Sequence, residues 1–215
     1  MRKMPHSVVV ATTSCTASPS DLALSQTGGP PGAGSSSIYS SKTGSKRVFR
    51  GMTVSSFTTL TLTPTPIITF NIRKPSRTLD AIRESRQFLV HTLSATEEGA
   101  QTAHGFTKGN QGDVFKGVNY AVWNAGSVCP LPLLSSPGVT KVLRCKVREE
   151  APGGLVEVGD HVLVLADVES IIEPPPTKHR AALEDRGLSY LDRAYRSVGD
   201  VIEVVDMVEE ETLEE

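Results

Sequence analysis

Between positions 48 and 72 the chain reads VFRGMTVSSFTTLTLTPTPIITFNI, and this stretch constrains the fold more than any other. It alternates with a period of two and is built from β-branched and hydroxyl residues, which favour strand over helix. Pro64 and Pro66 cannot donate to a strand ladder, so they divide it into strands at 48–62 and 67–72 around the turn TPTP. Further strands are expected at 8–13, 88–93, 139–147 and 161–172, with APGG at 151–154 as a turn between the last two. Helical signals are short. Leu79 and Ile82, three apart, predict a helix at 78–86. Ser94 with Glu97 is a capping-box signature for another at 95–104. Many strands with only short helices between them predict a mainly β fold, a barrel or sandwich with a few short helices.

Other segments carry little of this pattern. Residues 14–46 are dominated by Ser, Thr, Gly and Pro. Such a segment buries too little surface to offset its ordering entropy, so a disordered insertion is expected there. A phosphate-binding glycine loop at 28–34 is the sharper alternative. It lacks a strand leading in, a helix leading out and the GK[ST] ending. Residues 107–137, with four glycines and three prolines, read as loop, EPPPTK at 173–178 breaks the chain, and the end is acidic. The expected plan is a first strand within 1–13, the insertion at 14–46, one domain over 47–199 and an acidic tail at 200–215.

A net charge of −2 gives no general basic field for nucleic acid. No apolar run approaches the roughly 20 residues that span a bilayer. Neither partner is expected. Cys15, Cys129 and Cys145 show no CxxC and no Cys/His zinc spacing, so they read as free thiols in a reducing compartment, with no metal site. An intracellular, cytoplasmic location is expected. The Arg-containing, acid-free start leaves a mitochondrial transit peptide as the alternative.

The chemistry-bearing residues lie at 51–78. GMTVSSF puts Thr53, Ser55 and Phe57 on one strand face and Met52, Val54 and Ser56 on the other. A row of hydroxyls ending in an aromatic suits a flat heteroaromatic ring with polar edges, and a solvated strand face is the plainer reading. RKPSRT then sets Ser76, Arg77 and Thr78 at a helix start. Orphan N–H groups, the helix dipole, Arg73 and Lys74 make an anion site there.

These elements resemble the flavin reductase-like family with the FMN-binding split barrel. Its members carry G-[MV]-T-[AV]-[SN]-[SA]-F, a proline-bearing turn, a strand, and an S-R-T element opening a helix. GDHVLVLADVESI at 159–171 is similar to the family's G-D-H strand, and LSYLDRAYRSVG at 188–199 to its terminal element ending in Y-R-x-[LV]-G. The resemblance covers roughly 48–199 plus the strand at 5–13. It implies a split β-barrel and a homodimer with one FMN per subunit. It also implies transfer of hydride from NADH or NADPH to flavin, then to free flavin, dioxygen or an electron-accepting partner protein.

By the same resemblance, Thr53, Val54, Ser55 and Ser56 hold the isoalloxazine and ribityl edge, and Asn71 reaches the ribityl chain. Ser76, Arg77 and Thr78 hold the phosphate, and Phe106 in AHGF lies close to the flavin. His161 stands at the catalytic position, where the nicotinamide arrives. Tyr195 and Arg196 read first as surface residues, with a contact to the ligand as the alternative. His6, His91, His104 and His179 read as structural. The chain has no G-x-G-x-x-G, so the nicotinamide stacks on the flavin without a domain of its own. Related split barrels bind haem or act on pyridoxine phosphate, but no His or Cys here has the setting of an axial haem ligand. A non-catalytic FMN-binding or scaffold protein within a larger assembly is the alternative reading. The family also has a helix ahead of PHSVVV, and Met1 falls where that helix would end, so either a trimmed or a misassigned start is expected.

Overall fold

The structure, a computed structural model, describes residues 4–26, 38–40, 44, 46–108, 114–173 and 186–199. Its first half runs β1 (His6–Ser7), β2 (Val9–Thr16), α1 (Pro19–Gln26), β3 (Ile38–Ser40), β4 (Lys46–Val54), β5 (Thr58–Thr61), β6 (Ile67–Arg73), α2 (Arg77–Ser85) and β7 (Gln87–Leu93). The second half runs α3 (Glu97–Gly105), β8 (Tyr120–Trp123), β9 (Leu131–Leu134), β10 (Val139–Val147), β11 (Leu155–Val158), β12 (His161–Ile172), β13 (Leu188–Leu191) and β14 (Ala194–Ser197). A single 3-10 turn, Phe106–Lys108, follows α3.

The main sheet has the order β3-β4-β2-β7-β10-β12-β6-β5, with β11 on β12, and its pairs are antiparallel. The six strands from β4 to β6 all feed one apolar cluster that includes Val9, Val54, Phe70, Val90, Val147 and Val164. The sheet is therefore curled around a filled lumen. Leu79 and Ile82 of α2 belong to the same cluster and close one end. β4 and β6 share no ladder. Across that gap the Ser56 hydroxyl accepts the Asn71 N–H at 3.0 Å and lies 3.4 Å from the Asn71 carbonyl. This is the split in the barrel.

Successive side chains of a strand point to opposite faces. Here the second face of β2, β4 and β7 is buried too. Val8, Val10, Phe49, Leu89 and Leu93 pack beneath α3, Phe106, Phe115 and the β8-β9 hairpin. Gly51 is needed at this contact, because a Cβ there would come within 2.8 Å of the Phe106 ring.

Several sequence expectations need correction. The strand expected at 48–62 is two strands, β4 and β5, which lie toward opposite ends of the sheet order. The chain bends at 55–57 to cross the split. Residues 14–46 are not disordered throughout. β2 runs on to Thr16, α1 follows, and Ile38–Ser40 pairs with β4. Local polarity hid this because Thr13, Ser14 and Thr16 are satisfied by tertiary partners. The glycine-loop alternative at 28–34 and the tail at 200–215 lie outside the described residues.

The helix expected at 95–104 is Glu97–Gly105, capped by Thr96, whose hydroxyl accepts the Gly99 N–H at 3.3 Å. Ser94 instead continues from β7, with its N–H on the Gly138 carbonyl and a bridge to Gly187. The expected loop at 107–137 contains β8 and β9. Pro132 sits opposite Val122 there, and Leu131–Leu134 is buried throughout. APGG does not lead straight into 161–172, because β11 intervenes and pairs back on β12. The helix expected at 78–86 is Arg77–Ser85, with Ser76 as its cap.

Candidate functional site

Three clefts contain Thr53, Ser55, Asn71, Arg77, His161 and Tyr195 from among the residues singled out in the sequence. The largest, about 570 Å³, is lined by Thr53 and Ser55 together with His104, Tyr190, Arg193 and Tyr195. Its volume lies within the range of small-molecule sites. β4 supplies Thr53, whose hydroxyl donates to the Ala103 carbonyl and so ties the strand to α3. Ser55 stands just past the end of β4, exposed, and its hydroxyl makes no hydrogen bond to the described residues. The opposite wall is the β13-β14 hairpin, where Tyr190 and Tyr195 pair edge-on with centroids 5.5 Å apart.

Phe57 does not complete this wall, as the alternation had suggested. After the bend it packs against the lumen cluster with Met52. The aromatic surface comes from Tyr190 and Tyr195 instead. Val54 is buried in the lumen, and Phe106 is buried edge-on to Phe115 at 5.3 Å. Neither lines the cavity. Phe106 supports β4 from behind, while its neighbours His104 and Thr107 do reach the cavity. His104, read as structural from sequence, therefore has an open side.

A second cleft, about 350 Å³, is lined by Asn71, Val158, His161 and Leu163. Asn71 and Leu163 are cross-strand partners on β6 and β12, and the Asn71 backbone is the one held by Ser56. His161 Nδ1 lies 2.7 Å from Asp160 Oδ1, and Asp160 also pairs with Arg73 at 3.0 Å. The bond with His161, helped by Arg73, holds the Asp160 carboxyl below its usual range.

The third cleft, about 390 Å³, contains Arg77 with Arg50, Asp21 and Asp80. Ser76 caps α2, its hydroxyl accepting the Leu79 N–H at 3.2 Å, and Thr78 is buried behind it. Asp21 of α1 reaches Arg50 at 2.6 Å and accepts both the Ser18 N–H and hydroxyl. Burial works to raise the Asp21 carboxyl, but those bonds and Arg50 outweigh it and hold it low. Lys74 and Arg83 share Glu157 at 2.8 Å each. The cations at this end thus have internal counter-charges.

The structure brings Thr53 and Ser55 together, and Asn71 and His161 together. Ser56, next to Ser55 in the chain, holds the Asn71 backbone across the split, and Ser76, Arg77 and Thr78 form the start of α2, with Arg77 in the third cleft. The hairpin wall was visible in sequence only as the tyrosine spacing of LSYLDRAYRSVG. Among the described residues no cluster of His, Cys, Asp or Glu could hold a metal ion, and no helix is long and apolar enough to cross a membrane.

A family model described as "Flavin reductase like domain" matches residues 1–199. The chain is 31% identical over 137 residues to the reductase subunit HsaB of a flavin-dependent monooxygenase from Mycobacterium tuberculosis. That match takes in 64% of this chain and spans 65% of the relative's length. Among solved structures, nitrilotriacetate monooxygenase component B from Mycobacterium thermoresistibile superposes with a TM-score of 0.61 at 20% identity, over 95% of this chain and 88% of that one. The NADH:FAD oxidoreductase SgcE6 of Streptomyces globisporus, in complex with NAD and FAD fragments, gives 0.58 at 22% identity, over 92% and 87%. These likenesses bear out the mainly β, split-barrel architecture.

Proposed function

The chain belongs to the flavin reductase-like family, and from that premise we propose that it is an NAD(P)H-dependent flavin reductase. The observation that carries the reading is the cavity lined by Thr53 and the unengaged hydroxyl of Ser55 together with the Tyr190-Tyr195 wall. Polar edges on one side and aromatic surface on the other suit a flat ring with hydrogen-bonding rims. HsaB, a reductase subunit of a flavin-dependent monooxygenase, supports the same reading.

The redox step, uptake of hydride from a nicotinamide and its passage to free flavin, dioxygen or a partner protein, is the chemistry of flavin itself. The residues here bind and orient. Ser55 presents a hydroxyl donor to the ring edge, while Thr53, whose proton is committed to the Ala103 carbonyl, offers it only an acceptor, and Ser56 and Asn71 border the sugar-alcohol chain where the split opens. Ser76, Arg77 and Thr78 offer first-turn amides and a guanidinium to a phosphate. His161, held by Asp160, faces the nicotinamide approach. FMN is the flavin we infer, because one such anion site is present in the sequence motif. The homodimer and a cytoplasmic location belong to the same proposal.

The test is oxidation of NADH and of NADPH by the purified protein, with and without added FMN, FAD or riboflavin. Flavin-dependent turnover is the expected result. A protein that binds none of these flavins and oxidises neither donor would sink the reading and favour a scaffold role.

A further inference from the structure

The turn joining β13 to β14 is two residues long, Asp192 and Arg193, and both are at positive φ, 49° and 63°. A two-residue hairpin with both central residues left-handed is a type I′ turn, where asparagine and glycine are relaxed and arginine is strained. An arginine at its second position is best explained by what its side chain does. That side chain lines the large cavity beside Tyr190 and Tyr195. None of the residues lining this cavity is acidic. Arg193 forms no ion pair with a described carboxylate, whereas Arg47, Arg50, Arg73, Arg83, Arg144 and Arg148 each form at least one.

The strain and the open guanidinium point to one kind of ligand. A nicotinamide dinucleotide carries a diphosphate, and this chain has no G-x-G-x-x-G loop to bind it. A guanidinium fork fits phosphate oxygens two at a time. We propose that Arg193 binds the diphosphate of the incoming NAD(P)H and so sets the preference for a dinucleotide donor. This rests on the flavin reductase reading.

Arg193→Gly is the informative variant, because glycine suits the left-handed turn while removing the guanidinium. Calorimetric titration with ADP should show binding to the native chain and roughly tenfold weaker binding to Arg193→Gly, the loss expected for one charge-assisted contact. Adenosine, which lacks the diphosphate, should bind both alike. In turnover, KM for NADH should rise by a similar factor, while KM for 1-benzyl-1,4-dihydronicotinamide, which carries no phosphate, stays put. Thermal unfolding of Arg193→Gly should occur at the same or a higher temperature.

Equal ADP binding by both proteins would overturn the proposal. So would weaker binding of FAD with KM for NADH unchanged, since the diphosphate recognised would then be the flavin's. A drop in unfolding temperature would remove the strain argument and with it the proposal. Native chain that binds ADP through Arg193 yet reduces no flavin would defeat the reductase reading alone.

Discussion

β2 and β4 lie side by side, and both carry hydroxyls where a buried strand would ordinarily carry carbon. In β2, Thr12, Thr13 and Ser14 are fully buried and all engaged. Thr12 donates to the Pro132 carbonyl at 2.7 Å, Thr13 to the Gln87 carbonyl at 2.7 Å, and Ser14 meets Arg47 and Cys129. At the end of β4, Ser55 opens on the large cavity with no such partner. The two stretches, VVATTSC and GMTVSSF, are alike as text. A hydroxyl-rich strand therefore signals a ligand only where the rest of the chain leaves its hydroxyls unmet. The same contrast holds for cations, since Arg47 and Arg50 are met by Glu84 and Asp21 while Arg193 faces the cavity.

The largest test of this contrast lies on the satisfied side. His91, opposite Val10 on β7, is fully buried. Its Nδ1–H donates to the Val10 carbonyl at 3.1 Å, and its bare Nε2 accepts the Leu134 N–H at 3.1 Å. Removing both bonds in His91→Leu should destabilise the fold by about 3 kcal/mol in urea unfolding at neutral pH, through buried groups left unpaired. A loss below about 1 kcal/mol would show that these groups find other partners.

The same residue predicts an acid limb. Burial lowers the His91 pKa from 6.5 to about 4, against the raising effect of its bond to Val10. The unfolded chain therefore takes up a proton before the folded one. Stability present above pH 6.5 should fall by about 3 kcal/mol as pH drops toward 4. His91→Gln should flatten that limb. An unchanged pH profile in that variant would assign acid sensitivity to other groups.

At the start of α2, Arg77→Ala should weaken FMN binding roughly 10- to 100-fold, since charge-assisted contacts of this kind are worth about 1.5–3 kcal/mol. Riboflavin, without the phosphate, should bind as before. Equal losses for both would mean that Arg77 supports the fold around Arg50 and Asp21 rather than the ligand.

The smallest effects separate the two strands most cleanly. Thr12→Val should cost about 1–2 kcal/mol of stability, because it strands the Pro132 carbonyl, and should leave flavin affinity alone. Ser55→Ala should change stability by no more than about 0.5 kcal/mol yet weaken flavin binding about fivefold. Reversed outcomes in denaturation and flavin titration would erase the distinction between the strands.

Much of the barrel was legible in the sequence. β6, β7, β10 and β12 follow from period-two alternation, and α2 from Leu79 and Ile82 with Ser76 ahead of them. α1 and β8-β9 were not, because their polar or proline-rich residues owe their structure to surfaces far along the chain. Pro132 belongs to a strand only because Val122 lies opposite it, and Asp21 is fixed by Arg50, 29 positions away. The candidate site was half visible. Thr53, Ser55, Asn71 and His161 could be picked out, but the bend that sends Phe57 into the lumen could not, since alternation has no memory of where a sheet closes.

The sequence by itself determined the strand content, the helix start at Ser76 and the hydroxyl motif, because these depend on neighbours within a few residues. Only the tertiary structure decided which hydroxyls are spent inside the fold and which face a cavity. Hydrogen-bond satisfaction is settled by partners such as Pro132, Ala103 and Leu134, which lie 43 to 120 residues away in the chain, and no local pattern encodes that distance.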